Sequence, residues 1–211
     1  MIKITISNPA GLSILKHIYS KFPHADFEYT CDFSANKNIQ ESDIKNVLEK
    51  ASNITRFGRI GIVCETHEEE IQINNYISKK NTSNKNIFIA KALPLLKPLI
   101  EENWEKKPET KSIIRKYLLP LKSNNIDTLI LFSPYFDILE KEFQKKMGKN
   151  CVIISASEIQ AENIMKNTAE ILCNNNKQFF VNTDLYTSEK FKHIAQKFFC
   201  EGISEKSIQV I

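Results

Sequence analysis

Ile126-Asp127-Thr128-Leu129-Ile130-Leu131-Phe132-Ser133-Pro134-Tyr135-Phe136-Asp137-Ile138-Leu139 is the stretch on which the fold turns. Its apolar run lacks the alternation of a strand with one wet face. That pattern suits a strand buried on both faces, as in a parallel sheet covered by helices. The run stops abruptly at a small hydroxyl, a proline and a phenol. In open α/β sheets ligands collect beyond the carboxyl ends of the strands, so Ser133, Pro134 and Tyr135 are candidate site residues.

Outward from this stretch, strand-like and helix-like segments alternate along the chain, which argues for parallel sheet flanked by helices. Strands are expected at 1–7, 26–31, 59–64, 86–90, 152–155 and 178–183. Helices are expected at 12–21, from 42 onward, with the acidic run 65–70 in the first turns of the next, and at 108–121, 140–147, 158–173 and 188–199. Leu12, Leu15, Ile18 and Tyr19 share one face of the first helix, Ile44, Val47 and Leu48 one face of the second, and Gly148 stops the helix ending at Met147. No internal repeat and no low-complexity tail is present.

Composition excludes several classes. The 211 residues, 42% hydrophobic and 26% charged, allow one large core or two small ones. The formal net charge of +4 comes from 29 basic and 25 acidic side chains without a long basic block, so nucleic acid is not an expected partner. No apolar run approaches the ~20 residues needed to cross a bilayer, so no membrane partner is expected either. Five cysteines without a CxxC pair, behind an opening Met1-Ile2-Lys3-Ile4 that has no signal-like leader, predict a reduced cytoplasmic protein. Of these, Cys31, Cys151, Cys173 and Cys200 sit in apolar contexts and read as small core residues. His67 beside Glu68, Glu69 and Glu70 could suggest a metal site, but consecutive acids on a helix point in different directions, and a solvated helix start is the favoured reading. No phosphate-binding glycine motif is present.

Several blocks, in order, resemble the cofactor-independent glutamate racemases of the aspartate/glutamate racemase superfamily. Gly11-Leu12-Ser13-Ile14-Leu15-Lys16 is similar to the family's GGLSVLK, and Arg59-Ile60-Gly61-Ile62 to its RIGV strand. Ala92 to Glu102 resembles ACPLFVPLVEE, and Leu119 to Leu139 resembles the segment ending in GCTHYPLL. Val181-Asn182-Thr183-Asp184, with Phe191, Ala195 and Phe198, resembles the C-terminal VTGD block. The resemblance implies two α/β lobes of mostly parallel sheet flanked by helices, with a truncated first lobe made of 1–57 plus 156–211 and a second lobe of 58–155. It also implies interconversion of L- and D-glutamate for peptidoglycan precursors without metal or other cofactor, a small dicarboxylic amino acid such as glutamate as partner, and a homodimer among the expected assemblies.

The family's reaction uses two cysteines on opposite faces of the substrate Cα, one removing a proton while the other delivers one. A thiol serves because neighbours can lower its pKa toward neutrality. Here the position of the second cysteine holds Ser133, the following threonine is Pro134, and the histidine is Tyr135. The N-terminal DSG triplet reads Ile6-Ser7-Asn8, which leaves Ser7 and Asn8 as substrate-binding candidates beside Ser133 and Pro134. The substrate loop after Asp32 reads Asn36-Lys37-Asn38. Between Asp32 and the RIGV-like strand the chain is far shorter than the family's, and the strand carrying the first cysteine is missing. An alternative alignment places Ile60 to His67 on the family's IVVACNTAS and makes Cys64 that first cysteine. Either way the partner is Ser133, so the expectation is a racemase-like protein with weakened or lost catalysis, or a non-catalytic binding, regulatory or interaction protein on the same fold.

Overall fold

The computed structural model describes residues 2–6, 9–22, 27–31, 39–80, 86–167, 177–181, 188–198 and 208–210. Strands β1 (Ile2–Ile6), β2 (Phe27–Cys31), β3 (Arg59–Cys64), β4 (Ile87–Ala92), β5 (Thr128–Leu131), β6 (Val152–Ser155), β7 (Lys177–Val181) and β8 (Ile208–Val210) alternate with helices. The helices are α1 (Leu12–Lys21), α2 (Glu41–Ile54), α3 (His67–Lys80), α4 (Leu96–Glu101), α5 (Pro108–Ser123), α6 (Glu140–Met147), α7 (Ala156–Asn167) and α8 (Ser188–Phe198). Short 3₁₀ turns occupy Pro9–Gly11 and Pro134–Leu139. None of the described helices is long and apolar enough to cross a membrane.

Two compact units result, one of Met1–Asn38 with Gln160–Ile211 and one of Ile39–Ile159. The lobe boundaries read from the sequence differ from this division chiefly in α2, which packs on the second sheet through Ile44, Val47 and Ala51. In the first unit the strands run in the order β1-β2-β7-β8, every pair parallel. Helix α1 buries Leu12, Ile14, Leu15 and Ile18, the face set by its apolar spacing.

The second unit carries the order β4-β3-β5-β6, again parallel throughout. One face is built from Ile60, Ile62 and Cys64 of β3, Ala90 and Ala92 of β4, Ile130 of β5 and Ile154 of β6, packed against α2 and against Ile73 and Tyr76 of α3. Burying such a side chain contributes ~1.5–3 kcal/mol. The exposed Lys45–Glu49 pair on α2, 3.8 Å apart, adds a few tenths at most, so packing rather than surface charge holds that helix. On the opposite face Gly61 lets α5 approach: a Cβ there would lie 3.1 Å from Ile126 Cγ2, 3.2 Å from Leu129 Cδ1 and 3.5 Å from Leu121 Cδ1. Phe136 and Phe143 meet at a tilt, with ring centroids 5.8 Å apart and ring planes at 50°.

Asp127 locks the amino end of the unit. Its carboxylate accepts hydrogen bonds from the Thr55 hydroxyl at 2.8 Å and from the backbone N–H groups of Arg56 and Phe57 at 2.7 Å and of Arg59 at 3.2 Å. Burial opposes ionisation, but the N–H of Phe57, the Thr55 hydroxyl and the other N–H groups outweigh it and hold this carboxyl below its usual range. One side chain at the start of β5 thereby fixes the turn that delivers β3.

Local chemistry sets the ends of most elements. Glu41 and Asp43 open α2, and Glu68, Glu69 and Glu70 fall in the first turn of α3, where acids suit the helix dipole. Gly148, at φ +96°, closes α6 in a conformation that side chains resist. Ser155 Oγ accepts the N–H groups of Ser157 and Glu158 at 3.1 and 3.4 Å and so caps α7. The short α4 and β8 had no periodicity long enough to predict them. The segment after Phe132 turns at once into 3₁₀ conformation, because Ser133 caps it and Pro134 presets its first φ.

Candidate functional site at the strand ends of the second unit

The carboxyl ends of β3, β4 and β5 bring together Cys64, Glu65, Lys91, Ser133 and Tyr135, and α3 and α4 add Glu69, Glu70, Lys97 and Glu101. Parallel pairing produces this grouping. Register sets Cys64 opposite Ala92 and Val63 opposite Leu131, so the residues just beyond each strand converge. The backbone continues the alignment, with Leu93 N–H donating to the Cys64 carbonyl at 2.8 Å and Phe132 N–H to the Val63 carbonyl at 2.9 Å.

Ser133 is buried, with 3% of its surface exposed. Its hydroxyl donates to Glu65 Oε1, while its Oγ accepts the backbone N–H of Tyr135 at 3.2 Å. The second Glu65 oxygen faces Lys97 Nζ at 3.6 Å. Lys97 in turn lies 5.3 Å from the centroid of the Tyr135 ring, a cation–π contact. Tyr135 is fully buried and its hydroxyl donates to Glu101 Oε1 at 2.8 Å. Pro134, also buried, holds the turn between them. The two hydroxyls that occupy the positions of the expected cysteine and histidine are thus each turned onto a carboxylate of the same unit.

The remaining acids at this end are committed as well. Glu69 accepts the N–H groups of Glu65 and Thr66 at 2.7 and 3.4 Å. Glu70 accepts the Ala92 N–H at 3.0 Å, lies 4.0 Å from Lys91 Nζ, and meets His67 Nδ1 at 3.3 Å. His67 and its neighbours therefore form a hydrogen-bonded helix start, and among the described residues no group of His, Cys, Asp and Glu is arranged to hold a metal ion.

Cys64 has 0% exposure, and its thiol points at the Thr66 carbonyl with a sulfur-to-oxygen distance of 3.6 Å. Burial first, then the Glu69, Glu70 and Glu65 carboxylates, push this thiol well above its ordinary range, with Lys91 opposing. A thiolate, the form that serves as a carbon base, is disfavoured on every count except that one lysine. Cys151 is also a buried free thiol, pushed up to about 11 by burial and by Asp127.

Ser7 and Asn8, the other substrate-binding candidates, lie outside the described residues, as do Asp32 and Asn36-Lys37-Asn38. The side chains of Cys31, Cys173 and Cys200 are outside them too. Sequence reasoning gave no role to Glu65, Lys97 or Glu101. Glu65 reads as the first of a solvated acidic run, yet only 12% of its side chain is exposed. A positional signal was available for Glu65, which directly follows β3, whereas Lys97 and Glu101 lie on α4, whose pattern was too short to read.

Comparison with known proteins bears on the sequence and the fold. Glutamate racemase from Neisseria meningitidis serogroup A is 29% identical over 173 residues, covering 76% of this chain and 60% of that protein. Glutamate racemase from Chlorobaculum parvum is 31% identical over 119 residues, covering 56% of this chain and 43% of that protein. This chain is similar in sequence to glutamate racemases over most of its length. No protein-family model matches it. The crystal structure of glutamate racemase isoform RacE1 from Bacillus anthracis superposes with a TM-score of 0.77 at 20% identity, covering 100% of this chain and 97% of that one. Glutamate racemase from Francisella tularensis in complex with D-glutamate gives 0.76 at 16% identity, with 100% and 96% covered. These structures show that the glutamate racemase fold is shared. In sequence, the chain spans about 60% of the length of the curated Neisseria glutamate racemases it matches.

Proposed function

We propose that this glutamate racemase-like protein has lost two-base racemization and keeps the fold to bind a small amino acid such as glutamate. The observation that carries this reading is the pairing of Ser133 with Glu65 and of Tyr135 with Glu101. Removing the α-proton of an amino acid needs a strong, desolvated base, and the relatives' role of interconverting L- and D-glutamate for peptidoglycan needs two of them on opposite faces. A carboxylate is too weak to take the proton of a serine hydroxyl, so the Ser133–Glu65 pair stays an alcohol and an anion. Cys64 adds nothing, because its surroundings keep it a neutral thiol.

Binding is a smaller demand. Glu65 and Glu101 suit the ammonium group of an amino acid, and Lys91 and Lys97 suit its carboxylates. Any ligand must first compete with the internal bonds, which favours modest affinity.

Two measurements test the reading. A bacterial strain that requires added D-glutamate is expected not to grow when it expresses this chain, and L-glutamate at millimolar concentration is expected to raise the protein's melting temperature. Growth without D-glutamate would overturn the loss of catalysis. A second reading, an interaction protein with no ligand, draws on the same self-satisfied hydrogen bonds and the full burial of Tyr135 and Phe136. It is favoured if neither enantiomer of glutamate shifts the melting temperature.

A further inference from the structure

The amino ends of the second unit's strands form a face remote from the carboxyl-end site. Parallel pairing sets Ile87, Gly58 with Arg59, Asp127 and Val152 in one row. The Ile87 N–H donates to the Gly58 carbonyl at 2.6 Å, the Asp127 N–H to the Arg59 carbonyl at 2.9 Å and the Val152 N–H to the Asp127 carbonyl at 2.9 Å. Four strands spread the row across roughly 15 Å. The turns that enter β3, β5 and β6, and the last residues of α2, α5 and α6, therefore share one end of the unit.

Two properties coincide there. Phe57, Ile54 and Ile87 are 77%, 38% and 53% exposed, and they meet at one corner, because Phe57 precedes the Gly58 that bonds Ile87 and Ile54 ends the helix feeding that turn. Grouped apolar side chains left bare mark a contact surface. Residues 53–59, 86–87, 122–127 and 146–152 also hold five cations, Arg56, Arg59, Lys122, Lys146 and Lys149. Their one acid is Asp127, buried and committed to backbone N–H groups. Arg59 Nη1 and Lys122 Nζ donate to the carbonyls of Asn124 and Lys146 at 3.0 and 3.2 Å, which hold them at this face without cancelling their charge. Further up α2 and α6, Glu49 and Glu142 face Lys45 and Lys145 at 3.8 and 2.8 Å. The carboxyl end, by contrast, sets Glu65, Glu69, Glu70 and Glu101 against Lys91 and Lys97. Basic charge is thus concentrated at the amino end rather than spread evenly.

We propose that this face rests on an anionic lipid surface, with Phe57, Ile54 and Ile87 entering the headgroup–acyl boundary and the five cations meeting lipid phosphates. None of the described helices crosses a bilayer, but a peripheral contact needs only bare apolar side chains beside cations. A nucleic acid would satisfy the cations yet leave both isoleucines wet, since single strands bind by stacking on aromatic faces.

The test is co-sedimentation of the purified full chain with vesicles of phosphatidylcholine containing about 30% phosphatidylglycerol, beside vesicles of phosphatidylcholine alone. Retention on the anionic vesicles only is expected, falling at least ~5-fold between ~0.1 and ~0.5 M salt. The double variant Arg56→Gln with Lys149→Gln is expected to weaken binding by ~10-fold or more, and Phe57→Ser by ~3–10-fold. Arg56 and Phe57 lend only backbone N–H groups to Asp127, so these variants keep that turn and are expected to keep the wild-type melting temperature. No retention on anionic vesicles, equal retention on neutral ones, or retention unchanged in both variants would overturn the proposal. Tighter binding to polyglutamate or to an oligothymidylate than to the vesicles would also overturn it, by assigning the face to a soluble polyanion.

Discussion

Ser133 is one of several departures from the family pattern, beside Tyr135 and the Ile6-Ser7-Asn8 triplet. A hydroxyl stands where the family pattern has a thiol, and the structure adds that this hydroxyl is already spent on Glu65 while also accepting the Tyr135 N–H. Ser133→Ala removes both bonds and strands a buried N–H beside an under-solvated carboxylate. The expected cost is about 1–2 kcal/mol, read as a lower denaturation midpoint in urea. Cys64 gives a separate test. A neutral, buried thiol reacts slowly, so native protein treated with iodoacetamide at pH 8 should label Cys64 at least ~100-fold more slowly than a small-molecule thiol, as mapped by mass spectrometry. Preferential labelling of Cys64 would revive its reading as a catalytic cysteine. The expectation that Ser133 replaces a thiol rests on a single position in one motif. The sequence could not reveal Glu65 and Glu101 as partners, because hydrogen bonds between residues 68 and 34 positions apart exist only once parallel strands bring their ends together.

Strands and helices were the most readable layer. The boundaries of β3, β6, α1 and α6 follow directly from apolar periodicity, from a Gly148 stop and from charged turns. Helix α4 was not read because Pro98 obscures its pattern, although a proline in the first turn costs no hydrogen bond. Strand β8 has three residues, too few for any alternation to register. Two substitutions test how the second sheet is held. Gly61→Ala introduces a Cβ 3.1 and 3.2 Å from branched side chains on β5 and just before it, so it is expected to destabilise the protein by about 1–3 kcal/mol through overpacking. Asp127→Asn replaces a carboxylate that four donors converge on, at an expected cost of about 2–3 kcal/mol near neutral pH. Because the folded pKa of Asp127 is depressed, its stabilisation is fully present above the unfolded value of ~3.9 and is lost as pH falls through the lower folded value. The gap between wild type and Asp127→Asn should therefore be constant from pH 8 to about 5 and shrink in stronger acid, as followed by urea denaturation at each pH.

On the proposed reading, fold and chemistry part company at the scale of the whole molecule. Two open parallel sheets and a TM-score of 0.77 to a glutamate racemase show that the architecture is kept. The order of motif blocks made this readable, since packed strands constrain sequence at many positions at once. A reaction depends on two or three atoms, and so it can vanish while the fold stays. The loss of two-base chemistry is most directly tested by incubating the purified protein with L-glutamate in deuterated water and following the Cα proton by NMR. The expected result is no loss of the Cα–H signal and no D-glutamate beyond the protein-free control. Deuterium at Cα together with D-glutamate, abolished in Ser133→Ala, would contradict the account.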